Sequence, residues 1–310
     1  MADGARIVNP QYLVETEWLA AHLADPDLRV FDCTTYLDPD PVTVYAARSG
    51  RPDWAQGHIP GSDHLDLQGE LSDVSSPLRF TMPAPEQFAA AMSRHGVGDG
   101  TRVVLYSVGS VMWAARIWWM LRAFGFDDVA ILNGGLDKWK AEGRPLSTEP
   151  PRHPAARFVA RPRPEMIATK SQVAAAIADP RASVVNALTA RQHTGEGGVH
   201  YGRPGRIAGS VNVPAHRLVD GETKVFCPRE TSRRCSRKPA PTARTRSSPT
   251  VAAASRRAPT PSSWPCWATT MSRSTTARCR SGSRTRPRPW KRARPDPGAW
   301  LNLHDSLNWP

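Results

Sequence analysis

The chain has 310 residues, a formal net charge of +13 and five cysteines. Its charge is concentrated at one end: residues 229–310 hold 18 Lys and Arg against three Asp and Glu, whereas residues 1–228 are nearly neutral. No stretch approaches the roughly 20 apolar residues of a membrane span, and the first residues do not resemble an export signal. Without CxxC or HxxxH spacing, the sequence predicts a cytoplasmic protein that has neither a metal site nor a cofactor.

Residues 1–148 alternate short apolar runs with segments of helical period, which is typical of a parallel sheet covered by helices. Helix-period residues 16–23 precede a predicted strand, Leu28–Asp32. An amphipathic helix is predicted to open at Pro85 and to end at Gly96. The apolar residues 103–106 then predict a fully buried central strand.

A short loop and a long helix are predicted after the central strand. The loop consists of Ser107, Val108, Gly109 and Ser110. The helix should run from about Met112 to Phe124 and should be followed by a strand over residues 128–132. Residues 133–135, Asn-Gly-Gly, predict a turn before a short helix that ends near Trp139.

An internal repeat indicates a second unit of the same kind. The segment GHIPGS at residues 57–62 has a looser copy at residues 205–213. Upstream of each copy lies a strand with a polar end, at Asp32 and at Asn186. We therefore predict an α/β fold with two domains, each a parallel sheet flanked by helices.

The predicted domain boundaries follow composition. The first domain covers residues 1–148, a Pro-rich linker covers 149–164, and the front half of the second domain covers 165–228. The second domain is incomplete after about residue 229, because the following segment is basic, rich in Pro and Ser and poor in aliphatic residues.

Residues 229–310 are best explained as a tail translated out of frame. When the last base of each codon is joined to the first two bases of the next, residues 263–272 permit A-L-L-G-x-D-D-V, which resembles residues 123–129. The same operation permits Y-C-G-G-G-I from residue 249, where the first copy has Tyr106 and its loop. We infer a change of frame between about Pro228 and Thr231, and we expect the tail to be disordered.

With the strand-ending Asp32, the GHIPGS segment, the loop after the central strand and the NGG-xxx-W segment, residues 1–228 resemble the tandem rhodanese sulfurtransferases. This resemblance implies a noncatalytic first domain and a second domain with a cysteine at the start of its loop. That cysteine codon is expected across Thr250 and Val251. The resemblance also implies that Arg191 orients the substrate, although Asn186 stands where the family has Asp.

The implied activity moves sulfane sulfur from thiosulfate or 3-mercaptopyruvate to cyanide or a thiol through a cysteine persulfide. A soft thiolate can carry that sulfur and a hydroxyl cannot, so the chain as it stands is expected to be inactive. Loop N–H groups at the start of a helix lower the pKa of a thiol and bind anions. Ser107 therefore marks either a remnant anion pocket or merely a cap for the helix at Met112.

Other candidate residues are predicted to be structural. Arg191 has a surface salt bridge as its alternative role, His58 is expected to bond to backbone, and Asp32 and Asp63 are expected to pin loops. Neither Cys33 nor Cys227 precedes a Gly-rich loop and a helix, so neither is expected to be a nucleophile. The remaining cysteines are interpreted as products of the wrong frame: Cys235, Cys266 and Cys279. Three tryptophans of the long helix are expected to pack in the core or at the interdomain face: Trp113, Trp118 and Trp119.

The expected partners are a small anionic sulfur donor and a thiol or cyanide acceptor, with neither a membrane nor nucleic acid. Two alternatives remain. One is a noncatalytic rhodanese-like binding module whose basic tail binds nucleic acid. The other is a phosphatase-like relative, ranked last because it requires a Cys-x5-Arg loop that neither frame provides.

Overall fold

The computed structural model describes residues 9–41, 44–197 and 203–227, together with the backbone of residues 269–270 and 300–301. Thr250 and Val251 lie outside the described residues, as do Cys235, Cys266, Cys279 and nearly all of the predicted tail 229–310. The inferred cysteine loop and the expected disorder of the tail therefore stay predictions.

Residues 9–148 contain seven strands and five helices in the described part of the chain. The strands are β1 (Leu13–Val14), β2 (Leu28–Asp32), β3 (Thr35–Asp40), β4 (Val44–Ser49), β5 (Ser62–His64), β6 (Arg102–Tyr106) and β7 (Val129–Leu132). The helices are α1 (Thr16–His22), α2 (Arg51–Gln56), α3 (Pro85–Arg94), α4 (Met112–Ala123) and α5 (Gly135–Ala141). None of the helices among the described residues is long and apolar enough to cross a membrane.

Five of these strands form one parallel sheet in the order β1-β7-β6-β2-β5. The predicted strand Leu28–Asp32 is β2, and the predicted central strand is β6, which begins at Arg102. Asp32, at the end of β2, is in register with Tyr106 on one side and with His64 on the other. The predicted α/β class, a parallel sheet flanked by helices, is confirmed.

Alternate residues of the central strands feed two cores, because successive side chains of a strand point to opposite faces. On one face Phe31 and Leu105 pack with α3 and α4. On the other face Val30 and Val104 pack with Trp139 of α5. The predicted core position of three tryptophans is confirmed, since all three are buried on the first face: Trp113, Trp118 and Trp119.

The segment predicted to be a linker, residues 149–164, lies along the first domain in the structure. The N–H of Arg161 donates to the carbonyl of Phe124 at 2.8 Å. Phe158 is buried in the first core, and Arg163 forms two hydrogen bonds to the Asp127 carboxylate, at 2.7 and 2.6 Å. The segment is therefore fastened to the first domain along its length.

The repeat in the sequence is also a repeat in structure. Its elements are α6 (Lys170–Ala178), β8 (Val185–Asn186), α7 (Ala190–Thr194) and β9 (Val211–Asn212). Strands β8 and β9 pair in parallel, as β2 and β5 do. Gly61 and Gly209 precede β5 and β9 with φ of +76° and +74°, a left-handed conformation that favours glycine. Two further strands, β10 (Thr269–Thr270) and β11 (Trp300–Leu301), pair antiparallel.

Candidate functional site

The carboxyl ends of β2, β5 and β6 bring a group of polar side chains to one edge of the first sheet. Asp32 is buried there, and its Oδ1 accepts the N–H of Thr34 at 2.7 Å. Burial raises the pKa of Asp32, although the hydrogen bonds of Thr34 act in the opposite direction. Asp32 thus pins the chain that leaves β2, as the sequence predicts.

The loop after β6 is closed by hydrogen bonds to its own chain. The Ser107 hydroxyl donates to the carbonyl of Ser110 at 2.5 Å. The N–H of Val108 donates to Thr34 Oγ1 at 3.0 Å, and the N–H of Gly109 donates to Asp137 Oδ2 at 2.7 Å. Each of these donors therefore already has an acceptor within the chain.

The N-cap residue of α4 is Val111, and Ser107 makes no hydrogen bond to the first turn of the helix. Ser110 Oγ accepts the N–H of Met112 at 3.3 Å, whereas the Ser107 hydroxyl is turned to the Ser110 carbonyl. The expectation that Ser107 caps this helix is therefore wrong. The physical reason is that the loop curls back, which brings the Ser110 side chain closer to the first free amide of the helix.

The Asn-Gly-Gly turn forms hydrogen bonds to two distant segments of the chain. Asn133 is buried, its Nδ2 donates to Glu15 Oε1 at 2.7 Å, and its Oδ1 accepts the N–H of Phe226 at 2.9 Å. Gly135 has a φ of +56°, and a Cβ placed on it would lie 2.4 Å from the carbonyl oxygen of Ser107. Only glycine fits at that point, because the turn lies directly against the loop.

The second repeat reproduces the loop-pinning contact with a neutral side chain. Asn186 Oδ1 accepts the N–H of Leu188 at 2.9 Å. Asn212, its partner in register, donates from Nδ2 to the carbonyls of Asn186 at 3.0 Å and of Leu188 at 2.8 Å. The side-chain amide of Asn186 therefore accepts the same backbone hydrogen bond in the second repeat that the carboxylate of Asp32 accepts in the first.

Arg191 is exposed on α7, just after this pinned segment. A capping box between Thr189 and Gln192 fixes the start of the helix. The guanidinium lies over Gly197, where an added Cβ would come within 2.7 Å of Nη2. Among the described residues no carboxylate forms an ion pair with Arg191, so the salt-bridge alternative finds no partner in that part of the chain.

Two other candidates are structural. His58 is fully buried, with Nδ1 2.8 Å from the carbonyl of Trp54 and Nε2 3.1 Å from the carbonyl of Glu149. Its predicted structural role is confirmed. Cys33 is fully buried as well, and burial raises the pKa of its thiol well above the usual range, so it stays protonated and is no nucleophile. Cys227 is half-buried.

A half-buried charged cluster beside β5 was not apparent from the sequence. His95 lies between two carboxylates, with Nδ1 2.7 Å from Asp63 Oδ2 and Nε2 2.9 Å from Glu70 Oε1. Burial alone would lower the pKa of His95, but the hydrogen bonds to Asp63 and Glu70 raise it to about 9. Asp63 also accepts the N–H of His64 at 2.7 Å, but both residues lie in β5, so this bond does not pin a loop.

The sequence did not reveal that Asp137 and Thr34 accept hydrogen bonds from the loop after β6. Each accepts the N–H of a residue distant in sequence, so the contact depends on which strands are neighbours in the sheet. A weak signal existed for Asp137, because an acidic residue in the first turn of a helix directly follows a Gly-Gly turn.

Comparison with known proteins places the chain and its fold in a family. Residues 15–142 match the Rhodanese-like domain family. The 3-mercaptopyruvate sulfurtransferase of Escherichia coli (strain K12) is 34% identical over 218 residues, which cover 69% of this chain and 75% of that protein. The thiosulfate sulfurtransferase of Rattus norvegicus is 34% identical over 212 residues, which cover 65% of this chain and 68% of that protein.

A solved structure agrees with these relatives. The crystal structure of SseA from Escherichia coli, described as a 3-mercaptopyruvate sulfotransferase, superposes with a TM-score of 0.61 at 33% identity. The match covers 70% of this chain and 79% of that one. The chain therefore belongs to the rhodanese family of sulfurtransferases.

Proposed function

We propose that the intact gene product is a tandem rhodanese that moves sulfane sulfur from thiosulfate or 3-mercaptopyruvate to cyanide or a thiol. The present chain lacks the cysteine that carries the sulfur, because its reading frame changes between about Pro228 and Thr231. We expect it to be inactive. The proposed domains are residues 1–148, the linker 149–164 and the front half of a second domain at 165–228, followed by an out-of-frame tail.

One observation carries this proposal. In the first repeat a loop starts at Ser107, directly after the central strand, and its Val108 and Gly109 N–H groups donate to Thr34 and Asp137. In the second repeat the shifted frame permits Y-C-G-G-G-I across Thr250 and Val251, with cysteine where the first copy has Ser107. The repeated β2–β5 and β8–β9 units support the comparison of these two positions.

The chemistry requires a thiolate in such a loop. The thiolate attacks the outer sulfur of thiosulfate, the S–S bond breaks, and sulfite leaves with the bonding electron pair. Cyanide then attacks the outer sulfur of the persulfide, thiocyanate leaves, and the thiolate is regenerated. Inward N–H groups stabilise the thiolate and the anionic donor.

Arg191 is the residue that we propose to hold the donor. A guanidinium binds the oxygens of thiosulfate or of a carboxylate through paired hydrogen bonds. Its exposure on α7, with no carboxylate partner in the described residues, leaves the group available for an anion. Partners other than the donor and the acceptor are not proposed. The buried thiol of Cys33 supports a reducing, cytoplasmic location.

The test is to add or remove one base between codons 228 and 231 so that the downstream frame is restored. The restored chain, incubated with 3-mercaptopyruvate or thiosulfate, should gain the mass of one sulfur atom on the peptide that contains the new cysteine. Replacement of that cysteine by serine in the restored chain is the matched control. Absence of the added sulfur in a folded restored chain contradicts the proposal.

The alternative function has its own signature. A binding module with a basic arm would bind duplex DNA through the 18 Lys and Arg of residues 229–310. Such binding should fall steeply as the salt concentration rises. The protein expressed from a verified coding sequence should still show it. Verified DNA across codons 225–255 that carries no frame change would favour this alternative.

A further inference from the structure

A short hairpin at residues 218–227 lies against the first domain. Two backbone hydrogen bonds of 2.8 Å join its two strands. Between these bonds Val219 and Phe226 form an antiparallel bridge. In an antiparallel pair of this kind, the N–H groups of the two residues point away from the partner strand. The N–H of Phe226 therefore has to find its acceptor outside the hairpin.

That acceptor is a buried side chain of the first domain. Asn133 Oδ1 accepts the N–H of Phe226 at 2.9 Å, and Asn133 Nδ2 donates to Glu15 Oε1 at 2.7 Å. A primary amide suits this place because it offers an acceptor to the N–H and a donor to the carboxylate at the same time. The other oxygen of Glu15 is held by Lys138 at 2.6 Å. The fixed carboxylate therefore orients the amide with Oδ1 toward the hairpin.

The glycine after Asn133 contacts the loop of the hairpin. Gly134 has a φ of +85°, and a Cβ placed on it would lie 3.1 Å from the carbonyl oxygen of Thr223. The Thr223 backbone is held in turn by Asp220, whose Oδ1 accepts the Thr223 N–H at 2.8 Å. The Asn-Gly-Gly turn thus touches the hairpin at two points, one on a strand and one in its loop.

The corresponding segment of the first repeat makes different contacts. Aligned on the left-handed glycines that precede β5 and β9, residues 218–227 correspond to residues 70–79. In that first copy Leu71 is fully buried in the first core, and Gln87 donates to the carbonyl of Ser72 at 2.9 Å. The first copy is therefore held by its own repeat, whereas the second copy is held by the Asn-Gly-Gly turn of the first domain.

We propose that Asn133 is a positioning residue that docks the hairpin of residues 218–227 onto the first domain and, in the intact enzyme, fixes where the catalytic half of the second domain begins. Phe226 lies two residues before Pro228, where the inferred change of frame begins. The docked hairpin therefore leads directly into the sequence that a restored frame would change. The docking itself is independent of activity, whereas its effect on catalysis rests on the proposed function.

The sequence provides a selective probe of this contact. It contains two Val-Phe peptide bonds, Val30–Phe31 and Val225–Phe226. The full chain labelled with carbonyl-¹³C valine and ¹⁵N phenylalanine therefore gives two filtered amide signals. Phe31 is the internal control for the fold, because it lies in β2 and is fully buried in the first core. The quantity measured is the rate of hydrogen exchange at each of the two amides.

Asn133→Leu removes the acceptor and the donor but keeps a side chain of similar size. Exchange at Phe226 should become at least about fivefold faster than in the unsubstituted chain, because its N–H loses its acceptor. Exchange at Phe31 should not change. Asn9→Leu is the matched control, since Asn9 is exposed and its side chain makes no capping hydrogen bond. It should leave both exchange rates as they are.

A paired substitution separates the hydrogen bond from the packing. When Asn133→Asp is combined with Glu15→Gln, the two side chains exchange donor and acceptor roles, so a carboxylate oxygen still accepts the Phe226 N–H. Slow exchange at Phe226 should be retained in this double variant. Two results would overturn the docking: exchange in Asn133→Leu as slow as in the unsubstituted chain, or exchange in a folded double variant as fast as in Asn133→Leu.

The effect on catalysis is tested in the frame-restored chain with thiosulfate and cyanide. Asn133→Leu should lower kcat/KM for thiocyanate formation about tenfold, because the catalytic half starts from a displaced hairpin. The double variant should recover most of that loss, and Asn9→Leu should match the restored parent. An unchanged kcat/KM in Asn133→Leu would overturn the positioning role. A restored parent that forms no thiocyanate would count against the proposed function instead, and the exchange rates would still decide whether the hairpin is docked.

Discussion

Asp32 and Asn186 make the same contact in the two repeats. Each ends the first strand of its parallel pair, and each accepts the N–H of the residue two positions later, at 2.7 Å in one case and 2.9 Å in the other. The first repeat thus uses a buried carboxylate where the second uses a neutral amide. This difference has a consequence for stability, because burial raises the pKa of Asp32.

Asp32→Asn is expected to stabilise the first domain at neutral pH. The raised pKa means that the folded state disfavours the ionised carboxylate, so the unfavourable effect is present above the usual pKa of Asp and disappears as pH falls below it. We expect a gain of about 1 kcal/mol in the free energy of unfolding at pH 7. The gain should vanish near pH 3. Urea unfolding followed by tryptophan fluorescence measures it, and equal gains at both pH values would contradict the expectation.

His95→Gln is expected to destabilise the first domain. The pKa of His95 is raised from 6.5 to about 9, which corresponds to roughly 3 kcal/mol of stability from its two carboxylate partners. That stability is complete below pH 6.5 and is lost as pH rises through about 9. The pKa values of Asp63 and Glu70 are lowered, so their contribution is lost instead as pH falls below their usual range.

The matched control is Arg94→Gln, the residue before His95. Its side chain is 62% exposed and pairs with Glu70 at 3.3 Å, so its loss should cost at most about 1 kcal/mol. Urea unfolding between pH 5 and pH 10 compares the two. A His95→Gln variant whose deficit does not shrink above pH 9 would show that the ion pairs are not its cause.

Gly135→Ala should disturb the turn that seats α5 against the loop. Its φ is positive, and the new Cβ would lie 2.4 Å from the Ser107 carbonyl oxygen. Strain and overlap together should cost about 3 kcal/mol. Gly143→Ala is the control, because it has a similar φ of +66° and no atom within 4 Å of the new Cβ. It should cost about 1 kcal/mol. Equal losses of unfolding free energy would rule out the overlap.

Arg191→Lys in the frame-restored chain tests the proposed donor contact. Lysine keeps the charge but loses the paired hydrogen bonds, so KM for thiosulfate should rise about tenfold with a smaller change in kcat. Arg181→Lys is the control, since its side chain is 82% exposed and pairs with Asp179. Steady-state thiocyanate formation gives both constants, and an unchanged KM for Arg191→Lys would remove Arg191 from the site.

The sequence predicted those parts of the fold that depend on local pattern. The short, largely apolar strands β2 and β6 and the Gly-terminated helix α4 were located to within about two residues. The β3–β4 hairpin was missed because its strands contain Asp38, Pro39 and Asp40, which disfavour strand formation. Strand β5 is three residues long, too short for a period to be detected.

Contacts between distant segments were the part that the sequence could not reveal. Asp137 lies 28 residues from Gly109, and His95 lies 32 residues from Asp63. Each pair meets only because of the order of strands in the sheet and the position of the helices on it. The hydrogen bond from the Met112 N–H to Ser110 Oγ was missed for a related reason, since it depends on the curl of the loop and not on the identity of its first residue.

Sulfur transfer to cyanide is the measurement that tests the central claim most directly. The purified present chain and the frame-restored chain are each given thiosulfate or 3-mercaptopyruvate with cyanide, and thiocyanate is measured. We predict turnover by the restored chain and none above the uncatalysed rate by the present chain. Catalytic thiocyanate formation by the present chain, from DNA verified to encode it, would contradict the account.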